Sequence, residues 1–205
     1  MLKDYLIFIL LVIGTGLLIL ATWHYPGGSA GNENSEGYIW MENYISNLLN
    51  PTAVNGEING ARPWAMGGVL CLSIGFGIFF VHFSERVQIR SAALDIKYLG
   101  IAATSFAMLT IFPSLHDLMV TLSSILTLLV FFYITIIVLK SDLTFFKFMS
   151  VIFLLTFYLG AYMYFTRSYL EFMPLAQKVI YLVKIIWVLV LMYFTRLEDF
   201  KDITR

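Results

Sequence analysis

Charge is scarce in this chain of 205 residues: 13% are Asp, Glu, Lys or Arg, and the formal net charge is zero. A soluble domain carries roughly 25% charged residues, so an ordinary water-exposed globule is excluded. The lack of positive excess removes nucleic acid as a partner. Cysteine occurs once, Cys71, inside an apolar stretch. It forms no internal disulfide and says nothing about redox compartment. The three histidines, His24, His82 and His116, fall at two different ends of the predicted spans, which argues against a three-His zinc site. Gly-rich phosphate loops, a GxSxG elbow and HExxH are all missing. The loop SNLLNPTAVNGEING lacks the acid spacing of a calcium site. No metal and no cofactor is therefore expected.

What the chain has in quantity is apolar surface: 60% hydrophobic residues, with 18 Phe and 12 Tyr, and a mean hydropathy of +0.83. About 20 apolar residues cross a bilayer as a helix, and six such runs are predicted, at 5–22, 64–83, 96–112, 116–139, 145–165 and 175–195. The expected fold is all-α: one polytopic membrane domain over 1–205, a bundle of six transmembrane helices. A cleaved signal peptide is the weaker reading of the first run, because that run is long and no small-residue cleavage site follows it closely.

Residues 23–62 form the one long connection. Its first part, GGSAGNENSEG, is flexible by composition. From Tyr38 to Leu49 the pattern becomes periodic, with Trp40, Met41, Tyr44, Ile45, Leu48 and Leu49 on one side and Glu42, Asn43 and Ser46 on the other. That spacing predicts an interfacial amphipathic helix over 38–49, with Ser35 as its cap and Asn50-Pro51 as its end. Gly67, Gly68, Gly75 and Gly77 in the second span allow close helix approach. Residues 84–97 read as a polar link, and the tail RLEDFKDITR as charged and solvated. Lys3, Arg86, Arg90, Lys97, Lys140, Lys147, Arg196, Lys201 and Arg205 gather on one side; Arg62, Arg167 and Lys178 lie on the other. The richer side is cytoplasmic by the positive-inside rule. A bacterial cytoplasmic membrane protein with both termini inside is expected.

The chemistry is concentrated at 112–127, FPSLHDLMVTLSSILT. Helical spacing aligns Asp117, Thr121 and Ser124 on one line and His116, Ser123 and Thr127 on the next. Unsatisfied polar groups in hydrocarbon are costly, so this stripe is expected to face the bundle interior. Lys184 lies near the middle of the sixth span, where insertion costs about 2.5–3.5 kcal/mol. It shares a helical face with Gln177 and Tyr181. An Asp117–Lys184 pair is expected, direct or through water, with Glu42 or Glu171 as substitutes; a snorkelling, packing lysine is the alternative. His116 and Asp117 make an acid–base pair whose histidine switches near neutral pH, and with His24 and Glu42 they would assemble a site on the outer face. Structural roles, an interfacial His and a helix-start Asp, stay open. Arg62 either anchors the second span or pairs with a lipid phosphate or Glu42.

NYISNL at Asn43–Leu48, the Asn-Gly-rich approach to a Gly-rich second span, IFPSLHD at Ile111–Asp117 and AQK…W at Ala176–Trp187 resemble the bacterial six-helix membrane family catalogued as domain of unknown function 998. That family is more remotely similar to the DRAM/SFK proteins and relatives acting in lipid-anchor remodelling. The resemblance implies a six-helix bundle with a polar pocket opening outward, and points to Asn43, Ser46, His116 and Asp117. It carries over no established reaction.

Three functions follow as expectations. The first is binding or remodelling of a membrane lipid or other small amphiphile in an outward-opening pocket. The second, fourth and sixth spans would be the walls and the outer helix a lid. Lys184, Arg62, Tyr181, Gln177, Glu42, Asn43 and Ser124 would contact the ligand. The second is a hydrolase or acyltransferase with His116 and Asp117 as acid and base, and Ser46, Ser114 or water as nucleophile. The third is a proton- or ion-coupled transporter with Asp117 and Lys184 as relay; paired repeats and broken helices are lacking.

Overall fold

The computed structural model describes residues 2–201 and residue 203. Of the basic residues expected on the cytoplasmic side, Arg205 lies outside the described residues. The architecture is six helices: α1 (Leu2–Trp23), α2 (Arg62–Ser84), α3 (Arg90–Leu109), α4 (His116–Lys140), α5 (Thr144–Thr166) and α6 (Met173–Phe194). Each is long and apolar enough to cross a membrane, so the chain is a polytopic integral membrane protein. Consecutive helices are neighbours around a ring, and α6 closes it against α1 and α2.

Prolines mark three of the starts. Pro63 and Pro174 occupy the first turns of α2 and α6, where a missing N–H costs nothing. Pro113 opens a 3₁₀ turn, Pro113–Leu115, that feeds α4. The α1–α2 seam is tight because two glycines oppose each other: a Cβ on Gly68 would lie 2.9 Å from the Gly14 carbonyl oxygen. Backbones meet there as small residues allow in membranes.

Two corrections concern helix extent. α3 begins at Arg90, not Ile96, so the expected link over 84–97 shrinks to residues 85–89; the charged first turns simply extend the helix beyond its apolar run. The tail is not wholly solvated either. Phe200, on a 3₁₀ turn at Leu197–Phe200, is buried against Phe83 with ring centroids 5.5 Å apart.

The third correction is the predicted interfacial helix over 38–49. Only Ile45–Leu49 is helical, as one 3₁₀ turn ending at Asn50. Asparagine side chains account for this. Asn43 Oδ1 accepts the Ile39 N–H at 2.8 Å, its Nδ2 donates to the Gly28 carbonyl at 2.8 Å, and Asn47 Oδ1 accepts the Tyr44 N–H at 2.6 Å. Such bonds compete with a helical ladder for the same backbone groups. Trp40 and Met41 are exposed, while Leu48 and Leu49 are buried beside Ala21, Tyr25 and Ala65. Nor is the glycine-rich start of the loop a free coil. The Gly28 N–H donates to the Ser35 carbonyl at 2.7 Å, and Gly27 bridges Glu36. Ser35 thus belongs to this turn and caps no helix.

The bundle is filled unevenly. In the half that carries both termini, Phe79, Phe80, Phe83, Phe131, Phe153, Trp187 and Leu191 form a dense core. Trp187 stacks on Phe153 at 4.6 Å and meets Phe131 edge-on at 5.2 Å. The loop-bearing half is hollow.

Candidate functional site

The hollow is a cavity of about 410 Å³, within the range of small-molecule pockets. α4 supplies His116, Asp117, Ser123, Ser124 and Thr127 to its wall. The polar stripe of that helix therefore faces inward, with one exception: Thr121 lies outside the lining and its Oγ1 is 3.3 Å from the Tyr164 hydroxyl. α6 supplies Gln177, Tyr181 and Lys184 from successive turns of one face. Walls come also from α2, α3 and α5, through residues such as Phe76, Thr104 and Phe157. The 3₁₀ turn and its flank, Tyr44, Ile45, Ser46 and Leu49, make the roof. The aromatic core beneath makes the floor.

Lys184 sits at that floor. Its ammonium is 3.9 Å from the Phe76 ring centroid and 5.6 Å from that of Phe131, a cation–π arrangement that partly offsets desolvation. The expected direct pair with Asp117 is not formed. Asp117 is exposed at the mouth, and among the described residues no ion pair joins the two. They occupy opposite ends of one cavity, too far along the bundle for contact, and a relay built on their direct contact loses its central link.

His116 is better defined. Its Nδ1 is 2.8 Å from the Thr110 carbonyl oxygen. A carbonyl only accepts, so Nδ1 carries a proton, and in the neutral ring it is Nε2 that holds the lone pair. Ser46 lines the roof, but no hydrogen bond links it to His116 among the described residues. A Ser–His nucleophile is therefore not preassembled.

Three expected ligand contacts lie elsewhere. Asn43 is fully buried and spends its side chain on the loop backbone. Glu42 accepts a short hydrogen bond from the Ser29 hydroxyl, 2.5 Å, and does not pair with Arg62. Arg62 opens α2 outside the cavity lining. His24 stacks on Trp64 at 5.7 Å and joins no group with His116. Among the described residues no three His, Cys, Asp or Glu side chains converge.

The residue that sequence reasoning passed over is Lys178. Its ammonium donates to the Asn43 carbonyl at 2.6 Å and to the Pro174 carbonyl at 2.9 Å, and lies 5.3 Å from the Tyr38 ring centroid. From the preceding residue, Gln177 Oε1 accepts the Ile45 N–H at 2.8 Å. Together they strap the roof to α6. No local signal pairs positions so far apart in sequence. The tyrosines under the roof are held neutral: burial raises the Tyr38 phenol well above its ordinary pKa, with Tyr25 adding to it, and burial likewise raises Tyr25 and Tyr44. On the α5–α6 side of the mouth, Arg167 stacks on Tyr164 at 5.3 Å. Arg167 and Tyr169 both adopt φ of 58°, an unusual conformation for residues with a Cβ.

No protein-family model, curated protein or solved structure matches this chain. The site is therefore characterised by its own geometry: a roofed, mostly apolar chamber with a lysine at the bottom that makes no ion pair among the described residues, and a histidine, an aspartate and an arginine at the mouth.

Proposed function

We propose that this membrane protein binds an amphiphile with an anionic group, admitted from the face that carries the 23–62 loop. The observation that carries the reading is Lys184: a cation within a membrane-spanning helix that faces a cavity and, among the described residues, has no carboxylate partner. Intramembrane cations are functional by default because their insertion is costly, and an anionic ligand answers that cost. Ser124, Thr127 and Tyr181 offer hydroxyls to the same group, while Leu72, Phe157 and Ile180 offer apolar wall. By the positive-inside rule, the distribution of Lys and Arg favours an extracytoplasmic loop face, and with it a bacterial cytoplasmic membrane. Mass spectrometry of copurifying amphiphiles tests the reading. Lys184→Met is expected to lower the bound anionic species by about tenfold, equivalent to about 1.4 kcal/mol, with folding intact. Equal retention by both proteins would remove the reading.

A second reading, hydrolysis or acyl transfer on the bound amphiphile, is favoured by the His116 tautomer alone. With Nδ1–H held by Thr110, Nε2 suits a base that activates water. Under this reading His116→Ala lowers turnover of an ester amphiphile by about 10²-fold or more while binding persists. Unchanged turnover in His116→Ala would remove His116 as the base, and no turnover by the unmodified protein would leave binding as the sole role.

A further inference from the structure

A second hollow lies back to back with the first. It is an open groove of about 490 Å³ on the outer side of α1, α2 and α3, lined by apolar residues such as Leu6, Ile74, Ile78, Ile101 and Met108, with Gly77 at its base. Leu6, Ile74 and Ile101 are exposed, so the groove faces lipid. It runs along α2 to Val81 and His82, toward the end that carries the termini.

Ser73 and Thr104 line both hollows. Helical spacing produces this. On α2, Leu72 and Phe76 turn inward, Ile74 and Ile78 turn outward, and Ser73 stands between; on α3, Thr104 has the same position between Ala103 and Ile101. The partition is one small side chain deep from each helix. Both residues are buried, yet nothing bonds them across the seam. Thr104 Oγ1 donates back to the Gly100 and Ile101 carbonyls of its own helix, and among the described residues Ser73 has no hydrogen bond to α3. Ser73 and Thr104 therefore mark where the two spaces come nearest.

The roof, the floor and the mouth are poor exits for hydrocarbon. The roof is strapped by hydrogen bonds to α6, the floor is packed aromatic core, and the mouth holds His116, Asp117 and Arg167. An acyl chain in that mouth would displace water from charged groups at a cost.

We propose that the chain of the bound amphiphile leaves the cavity through the Ser73–Thr104 partition and lies in the outer groove. The ligand is then a long single-chain anionic amphiphile, with its headgroup at Lys184 and its tail against the bilayer. This rests on the reading of Lys184 as the anion site.

The test uses the full-length protein in nanodiscs, with hexadecanoate bearing a photoactivatable diazirine at the chain end as probe and octanoate as its short counterpart. In the unmodified protein, crosslinks are expected on Ile74, Ile101 or Met108, and to fall by about tenfold in Lys184→Met. Gly77→Leu fills the groove without lining the cavity; it is expected to weaken hexadecanoate by about tenfold or more and octanoate by less than about twofold. A Cβ at Gly77 would come within 3.1 Å of Thr104 Oγ1, so the crosslinking arm, which needs no groove variant, stands independently of how that variant folds. Groove labelling that persists in Lys184→Met reports bulk lipid and overturns the path, as do crosslinks confined to Phe157 or the roof. Loss of both probes in Lys184→Met with no chain-length effect in Gly77→Leu rejects the path and keeps the anion site. Full retention of both probes in Lys184→Met rejects the anion site itself.

Discussion

Trp187→Ala is expected to destabilise the bundle by about 3–5 kcal/mol, read as a drop in the unfolding midpoint in detergent. The indole is buried, lies flat on Phe153 and edge-on to Phe131 and Phe79, and its Nε1–H donates to the Ser150 hydroxyl at 2.9 Å. Among lipid tails, burial of apolar surface gives helices little reason to associate; dispersion in well-fitted contacts does so instead. Removing the indole leaves a void ringed by aromatic faces that cannot close, and a buried Ser150 hydroxyl without its donor. Trp187→Phe keeps most of the ring contact and loses the hydrogen bond, so it should recover more than half of the deficit. A loss below about 1 kcal/mol for Trp187→Ala would mean that the core relaxes to fill the space.

The second large effect is expected one to two turns further on, at the C-terminal end of α6. Arg86 Nη1 donates to the Leu191 and Thr195 carbonyls at 3.2 and 2.7 Å, and Nη2 to the Met192 carbonyl at 3.2 Å. These lie at the C-terminal end of the helix, where carbonyls run short of intrahelical donors and the dipole favours a cation; the Leu191 carbonyl also accepts from the Thr195 N–H at 3.2 Å and hydroxyl at 2.7 Å. Nη2 also lies 3.8 Å from Asp4, and Asp4 in turn contacts His82 at 3.1 Å. Burial lowers the Arg86 pKa, opposed by Asp4, Asp199 and Glu85, but a guanidinium stays charged. Glu85 is pulled below the usual carboxylate range chiefly by its hydrogen bond from Lys3. Arg86→Leu should cost about 3–5 kcal/mol, as for breaking a buried charge cluster from one side. Arg86→Lys keeps the charge, lacks the fork and should restore only part. Equal midpoints for Arg86→Leu and the unmodified protein would show that α6 needs no such cap.

The six spans were legible because the apolar runs are long and polar punctuation separates them, with Pro63, Pro113 and Pro174 marking starts. The inward stripe of α4 and the Gln177–Tyr181–Lys184 face were legible for a related reason: helical periodicity is local, and polar side chains avoid lipid. The loop was misread because Trp40, Met41, Leu48 and Leu49 share a helical phase, while the asparagines that defeat the helix do so through partners such as Gly28. The direct Asp117–Lys184 pair is not formed because periodicity fixes azimuth and not depth; the two side chains share a chamber but not a level. The Lys178 strap, the Arg86 cap and the Ser73–Thr104 partition depend on which helices become neighbours, and that information is not in any one segment.

The contrast between a filled half and a hollow half has a mechanical side. Close-packed protein interior has low compressibility, and internal voids are what pressure eliminates. Deformation of this bundle is therefore concentrated in the half that holds the 410 Å³ chamber, while the aromatic half acts as a rigid pivot. Lateral squeezing by the leaflet on the loop side narrows the chamber; the same squeeze on the opposite leaflet changes it little. An asymmetric response to lateral pressure in the two leaflets is therefore expected.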